Sequence, residues 1–371
     1  MHLIHDFATG GAENGIVNIL NRLDPSSFEP AACAFVGKGQ LTKRLDLSRI
    51  RLFEMDKRKG NDPSLPFRLY RLFKKWRPDI VHTHSWGTLL EGWVGARLAG
   101  VPVLIHGEHG TMMEKKRNIF LQRFLWKRFG QVLSVSSAHR DKLCRIIGFP
   151  KEKISVIVNG VDTEKFHPGS NNPLIRQQLG IQEGHVVIGA VGRLVPVKNH
   201  ALLVHAMKLL LETNPKVSLV IVGDGPLEGE LRELVKDNGL SSRVFFTGRR
   251  SDIDQVLQSF DIFVLSSLSE GLSNTVLEAM SCGLPVVATD VGGNSEMVRH
   301  DETGFLVPSG KPQEMATALS LLVQNPEGRM MMGKIGRKRI EDHFSMDQMI
   351  RNYELLYFSL TEKFISSHKV G

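Results

Sequence analysis

The 371-residue chain holds only three cysteines, Cys33, Cys144 and Cys282. Their number is odd and their spacing wide, so neither a disulfide framework nor a zinc-ligand pattern can be drawn from them, and a reducing cytosol is the expected compartment. No stretch approaches the roughly eighteen uninterrupted apolar residues of a membrane-spanning helix. Met1–Phe7 is a short strand-like run followed at once by Gly10 and Gly11, which is not the pattern of a signal peptide. No Gly-x-Gly-x-x-Gly follows that run, which disfavours a dinucleotide site there. Repeats of short period and basic strands studded with aromatics are also missing, so an array protein or a nucleic-acid reader finds no support.

What remains is a globular composition, 42% apolar and 23% charged, in a chain long enough for two domains. The net charge of +8 is unevenly spread. Residues 1–168 carry 27 Lys/Arg against 16 Asp/Glu, and residues 169–371 carry 20 against 23, so +11 faces −3. A basic half suits an anionic surface or an acidic substrate, or is simply a solvated face.

Short apolar runs alternate with amphipathic ones along both halves. His2–His5, Ala31–Val36, Ile50–Met55, Asp79–His82, Pro102–His106, Val132–Val135 and Ile154–Val158 read as strands, with helical stretches between most of them. After a turn at Asn159-Gly160-Val161-Asp162 the alternation restarts with Val186–Val191, Ser218–Val222, Val244–Phe246, Ile262–Leu265, Val286–Ala288 and Gly304–Val307. Such alternation predicts mostly parallel, doubly wound α/β sheets. The expected domains are 1–165 and 166–345, with an amphipathic C-terminal helix within 346–371 packing back on the first. Two such domains face to face would open their strand C-termini on a central cleft.

The stretch Ser266–Gly293 organises the second half. An apolar run, Ile262–Leu265, leads into a loop with Glu270 and Gly271; Ser273 and Asn274 are good N-caps for a helix that turns Val276, Leu277, Ala279 and Met280 inward and Glu278 outward. The free amides of a helix start suit an anion. Two carboxylates nearby would repel phosphate, so they are suited instead to hydroxyl groups. A ligand with both phosphates and hydroxyls is a nucleotide or a nucleotide sugar.

Other polar residues fall at strand ends. Gly192 and Arg193 follow Val191, and Lys198 lies five positions on; glycine allows close approach and the cations suit a diphosphate. Gly223-Asp224-Gly225-Pro226 and Thr247-Gly248-Arg249-Arg250 follow two further strands and are equally readable as plain turns. Gly10-Gly11-Ala12-Glu13 joins the first strand to the first helix. His82-Thr83-His84 and His106-Gly107-Glu108-His109-Gly110 end two more strands. Their spacing matches no standard metal site; a strand-end histidine more naturally bonds substrate, or caps structure in the case of His82 and His106. Glu114–Phe129 sets Lys115, Lys116, Arg117, Arg123, Lys127 and Arg128 among Ile119, Phe120, Phe124, Leu125 and Trp126. It either lies on an anionic membrane or packs on the sheet with a solvated basic face.

Taken in order, GGAE, HTH, EHG, NGVDTEKFHP, GRLVPVKNH, VGDGP, TGRR and the Glu-x7-Glu pair Glu270/Glu278 resemble the family-4 retaining glycosyltransferases of the GT-B fold over nearly the full chain. GGAENGIVNIL and IHGEHG resemble, more narrowly, the sugar transferases of PEP-CTERM/exosortase and exopolysaccharide loci. The resemblance implies two Rossmann-like domains and a nucleotide-sugar donor, such as a UDP- or GDP-sugar, with no other cofactor. Arg193 and Lys198 would clamp the diphosphate, assisted by Gly192, Gly223 and amides from Gly271, Leu272 and the helix start at Asn274–Val276. Glu278 would hold the ribose, Glu270 the transferred sugar, and Arg249 would flank the base. Gly11 would allow close approach, and His109, with His106 as rival, would be the histidine supporting the sugar. No metal-binding Asp-x-Asp is expected, which agrees with a metal-independent reaction in which Arg193 and Lys198 replace the cation. Attack would be front-face, with the leaving phosphate taking the acceptor's proton. The expected acceptor is a saccharide or polyprenyl-linked saccharide at the inner face of the plasma membrane. A GT-B epimerase or phosphorylase is the alternative, and nucleic-acid binding the reading from another class.

Overall fold

The structure is a computed structural model describing residues 1–8, 10–37, 39–109, 116–169 and 173–368. It divides into two compact units, 1–159 with 347–371, and 160–346. The division therefore falls at Asn159/Gly160, ahead of the expected residue 165.

The first unit is built on seven strands: β1 His2–Ile4, β2 Ala31–Ala34, β3 Arg51–Glu54, β4 Ile80–His84, β5 Val103–Glu108, β6 Gln131–Ser134 and β7 Ile154–Val156. All pair in parallel in the order β3-β2-β1-β4-β5-β6-β7. The order reverses between β1 and β4, and α/β ligands bind beyond the strand C-termini at such a switch. Both faces of the sheet are covered, which explains why its strands read as unbroken apolar runs rather than alternating ones. Leu3, Cys33 and Val81 join Leu69, Phe73, Leu89 and Trp126 on one face; Ile4, Ala32 and Ala34 join Phe7, Ile16 and Leu20 on the other. The C-terminal helix Met346–His368 belongs to this unit from Asp347 on, burying Tyr353 and Tyr357.

The second unit has six parallel strands: β8 Val186–Val191, β9 Val217–Val222, β10 Val244–Phe246, β11 Ile262–Leu265, β12 Val286–Thr289 and β13 Gly304–Val307. Their order is β10-β9-β8-β11-β12-β13, so the switch lies between β8 and β11. The chain enters and leaves this unit side by side: Val161 N donates to Phe344 O at 2.9 Å and Met346 N to Val161 O at 2.9 Å. A Cβ on Gly160 would lie 2.7 Å from Ser345 O, so only glycine lets the two crossing segments pair.

One helix was not expected. Pro326–His343 carries Gly333 and Gly336 in its interior, at a cost of about 1 kcal/mol each relative to alanine. Packing repays this. A Cβ on Gly333 would overlap the Gly283 carbonyl, so the bare glycine lets the helix seat against the Asn274–Ser281 segment.

Candidate functional site

In the second unit three glycine turns line up across neighbouring strand ends. Gly192 N donates to Val222 O, and Gly223 N donates to Gly248 O, each at 2.9 Å. A Cβ on Gly223 would overlap Gly192 O, and its φ of +140° favours glycine independently. The turns after β8, β9 and β10 thus stand side by side with their backbone partly exposed, and at Gly223 a side chain would not fit. Gly225 locks against Leu194 in the same way, and Leu194 N donates to Asp224 O at 2.8 Å. Arg193 and Arg249 project from these turns and are exposed.

Across the switch point, the loop after β11 brings an acid to the lysine from the loop after β8. Lys198 Nζ is 2.6 Å from Glu270 Oε1, and Ser267 Oγ donates to that same oxygen at 2.6 Å. The two loops are sewn together: Leu268 N donates to Val197 O at 2.8 Å and Ser266 Oγ to Lys198 O at 2.9 Å. The pair is partly exposed, at 24% for the lysine side chain and 10% for the glutamate, so a ligand can reach it. A cation on a flexible stem, held by a carboxylate, can release it for a diphosphate while the carboxylate turns to a hydroxyl.

The loop's far end is fixed by Gly292, whose φ is +56° and whose added Cβ would overlap Glu270 O. Gly293 N donates to Gly271 O at 2.9 Å. Ser273 is the N-cap of the helix Asn274–Ser281, but its hydroxyl makes no capping bond and stands 3.1 Å from Thr275 Oγ1. The helix buries Val276, Leu277, Ala279 and Met280 and leaves Glu278 half-buried on its outer side, next to the Lys198–Glu270 loop in sequence and facing away from the core. Leu272 and Val276 are buried, so their backbones rather than their side chains are what a ligand could meet.

The chain does contain an Asp-x-Asp, Asp252-Ile253-Asp254, which opens the short helix Ile253–Leu257. Asp252 takes Arg250 bidentately, Nε donating to Oδ1 at 2.9 Å and Nη2 pairing with Oδ2. Hydrogen bonds from Arg250 hold its carboxyl below the usual range. That engagement describes a structural turn.

In the first unit, Gly11 opens the helix Gly11–Arg22 directly after β1 at its switch point, with Gly10 as the extended N-cap. The histidines at the ends of β4 and β5 separate onto two faces. His106 is fully buried, its Nδ1 2.8 Å from Thr83 Oγ1 and its Nε2 2.9 Å from Glu108 Oε1, which also accepts from Gln122 Nε2 at 2.7 Å. Both its nitrogens are occupied and its ring packs near Trp126 and Phe129. His109 stays partly exposed. Its Nε2 is 2.9 Å from His84 Nδ1; His84 Nε2 is 2.9 Å from His2 Nδ1; and Tyr357 OH lies 3.2 Å from His2 Nε2 and 3.0 Å from His82 Nδ1. Burial, then repulsion among the imidazoles, pushes His2, His82 and His84 well below the usual range, and burial brings His109 to about 4. The network is neutral at physiological pH. The β4 HTH pattern offered a signal for it, since His82 and His84 share a face at spacing two; His2 and Tyr357 were not identified from the sequence.

The helix Lys116–Trp126 divides its apolar residues. Gln122, Leu125 and Trp126 are buried, whereas Phe120 is 74% and Phe124 40% exposed amid Lys116, Arg117, Arg123, Lys127 and Arg128. Arg128 covers the Phe124 ring at 3.4 Å. Glu114 and Lys115 of the expected basic segment, and Gly110 of the EHG run, lie outside the described residues. Among the described residues no helix is long and apolar enough to cross a membrane.

With this geometry in view, comparison with known proteins is direct. Residues 9–165 match the family model described as Glycosyltransferase Family 4 and residues 171–339 that described as Glycosyl transferases group 1. The chain is 35% identical over 303 residues to the Escherichia coli UDP-Gal:alpha-D-GlcNAc-diphosphoundecaprenol alpha-1,3-galactosyltransferase, covering 79% of this chain and 78% of that one. It is 33% identical over 298 residues to the Bacillus subtilis protein EpsD, a putative glycosyltransferase, covering 73% and 75%. Among solved structures, a Rickettsia africae glycosyltransferase aligns over 97% of both chains with a TM-score of 0.86 at 21% identity. Anabaena HepE in complex with UDP and glucose aligns over 97% of this chain and 100% of its own, at 0.84 and 23%. The chain belongs to the family-4 glycosyltransferases, and its two parallel-sheet units are those of the GT-B fold.

Proposed function

We propose that the protein transfers a sugar, with retention of anomeric configuration, from a nucleotide sugar to a saccharide or polyprenyl-linked saccharide acceptor. The Lys198–Glu270 pair at the β8/β11 switch carries this reading. One lysine and one carboxylate, on loops sewn together, offer a diphosphate cation and a hydroxyl acceptor within one ligand's length. Arg193 joins Lys198 on the diphosphate. Gly11, Gly192, Gly223, Gly271, Leu272, Asn274 and Val276 contribute close backbone, Arg249 flanks the base, Glu278 takes the ribose and Glu270 the sugar. His109 supports the sugar from the first unit. Two cations replace a metal at the leaving group, so the reaction runs without one, and the departing phosphate takes the acceptor's proton. No cofactor beyond the donor is involved.

The E. coli relative is named for UDP-galactose and an undecaprenol-linked acceptor, which supports a UDP-sugar and a lipid-linked acceptor here. An anionic lipid surface would then meet the exposed Phe120, Phe124 and surrounding cations, placing the enzyme peripherally at the cytoplasmic face of a membrane. The resemblance to exopolysaccharide transferases of PEP-CTERM loci supports a role in extracellular glycan synthesis.

A thermal-shift screen of nucleoside diphosphates and nucleotide sugars tests the donor. A ligand at a hundredfold excess over its Kd stabilises by about 2.7 kcal/mol. Lys198→Ala and Glu278→Ala should each remove most of the shift and lower turnover about 100-fold; an unchanged shift in both would remove these roles. Release of free sugar phosphate, or epimerised donor without acceptor, would favour a phosphorylase or epimerase instead.

A further inference from the structure

The histidine network of the first unit does more than fill space. Its hydrogen bonds form one chain: His109 Nε2, His84 Nδ1; His84 Nε2, His2 Nδ1; His2 Nε2, Tyr357 OH; Tyr357 OH, His82 Nδ1. Each neutral imidazole holds one proton and the phenol one; the buried Tyr357 O–H is costly to leave unpaired, so it too must donate within the chain, and every link then points the same way. Two polarities satisfy this. In one, His109 donates from Nε2 and each link follows until Tyr357 donates to His82 Nδ1. The proton of His82 then sits on Nε2, which is buried and has no partner among the described residues. In the other, His82 donates from Nδ1 to Tyr357, Tyr357 to His2, His2 to His84, and His84 to Nε2 of His109. His82 Nε2 is then a bare lone pair.

The unpartnered His82 Nε2 decides between them. Orphaned buried N–H groups are rarer than under-satisfied acceptors. A Cβ placed on Gly107 would lie 3.2 Å from His82 Nε2, 3.2 Å from His84 Nδ1 and 3.3 Å from His109 Nε2, so His82 Nε2 faces the side-chain-free flank of Gly107 and two ring nitrogens already engaged with each other. The second polarity leaves only a lone pair against that surface.

We propose that His84, His2, Tyr357 and His82 are positioning residues that fix the tautomer of His109, so that its one remaining nitrogen, Nδ1, carries a proton. This rests on His109 being the substrate-facing imidazole. An Nδ1–H donor recognises an oxygen lone pair, such as a sugar hydroxyl or an N-acyl carbonyl. It cannot accept the acceptor's proton, so His109 serves as a polar contact and not as a general base. The proton of the attacking hydroxyl must then leave by another group, which in the transfer reaction is the departing phosphate oxygen.

The test is a long-range 1H–15N correlation of the histidine rings in the full-length protein at pH 7.5. His109 would be identified by the signals missing from His109→Gln. A protonated Nδ1 and a bare Nε2 on His109 are expected. His84→Phe, which removes the donor to His109 Nε2, should give His109 mixed tautomers and lower kcat several-fold while leaving KM for the donor unchanged. A wild-type His109 protonated on Nε2, or carrying both protons, would overturn the proposal whether or not the variant folds. A His84→Phe protein with an unaltered His109 spectrum would overturn it too. Stoichiometric binding of Zn2+ with loss of the ring N–H signals would replace it with a metal site at His2, His82 and His84, whose candidate ligand atoms lie within 4.8 Å of one another. Full turnover by His109→Ala, with the wild-type spectrum as expected, would overturn the substrate-facing role alone.

Discussion

The two units solve the same problem at their switch points by opposite means. The second presents charge: Lys198 against Glu270, with Arg193 and Arg249 exposed around stacked glycine turns. The first presents a wire of neutral imidazoles ending at His109, and its carboxylate, Glu108, is turned to the other face with His106. A donor diphosphate needs countercharge, and charge exposed to water is inexpensive to keep. A histidine that meets hydroxyls as a single fixed N–H donor needs its other ring nitrogen engaged, and burial keeps the imidazoles of that chain uncharged. On the proposed reading one unit would hold its ligand by ion pairing and the other by hydrogen-bond geometry, and the two should fail under different insults.

Acid should separate them most. The folded-state values of His2, His82, His84 and His109 lie below the ordinary one, so the unfolded chain binds more protons in between. The stability they contribute is fully present above about pH 6.5 and is lost as pH falls below it, on the order of 1 kcal/mol per histidine per pH unit. In the second unit two histidines are lowered, His200 to about 4 by burial and by Lys198, and His185 by burial and by Arg243. Hydrogen exchange followed by mass spectrometry at pH 7.5 and 5.5 should show the first unit losing a few kcal/mol and the second much less. Equal losses would break the contrast.

Two glycines sharpen it next. Gly292→Ala sets a Cβ into Glu270 O from a positive φ, which should cost about 2–3 kcal/mol and displace the Glu270 loop. Gly107→Ala meets only ring nitrogens at 3.2–3.3 Å, which can give by a few tenths of an ångström. Calorimetric melting with and without nucleoside diphosphate should show the first variant destabilised and blind to ligand. The second should be near wild type in stability and donor response. The reverse pattern would mean that the donor is not held by the Glu270 loop.

Kinetics should follow. Lys198→Ala should reduce kcat/KM about 100-fold, about 2.7 kcal/mol of transition-state stabilisation, with weaker donor binding. His109→Ala should lower kcat about tenfold and leave donor binding intact. Isothermal titration with UDP separates these, and loss of UDP binding in His109→Ala would put the histidine on the wrong side of the comparison.

The two sites were also unequally legible in the sequence. Arg193, Lys198 and Glu270 follow strand ends, where strand periodicity and glycine turns mark them, and Glu278 lies in the short helix that follows the Glu270 loop. The imidazole wire joins His2, His84, His109 and Tyr357, and no local pattern links a residue at the start of the chain to one on its last helix. His84 was visible as part of HTH but not as a partner of His109. The helix Pro326–His343 escaped for a related reason: Gly333 and Gly336 speak against a helix locally, and only the Gly283 carbonyl explains them.

The smallest expected effect concerns the basic excess of the first half. If the first unit serves a lipid-linked acceptor, the helix Lys116–Trp126 is where its charge should matter. Trp126 and Leu125 already pack inward, so substituting them would test folding and not binding. Phe120 and Phe124 are the side chains left outside, and Phe124 is shielded by Arg128. Phe120→Ser with Phe124→Ser should lower partitioning to anionic vesicles about tenfold, about 1.4 kcal/mol, since an interfacial ring buries only part of its area. Raising the salt should weaken wild type and variant alike, because the cations remain. In a flotation assay, a double variant that floats like wild type would return Lys116–Trp126 to the status of a solvated basic face. The charge difference between the units would then need another ligand.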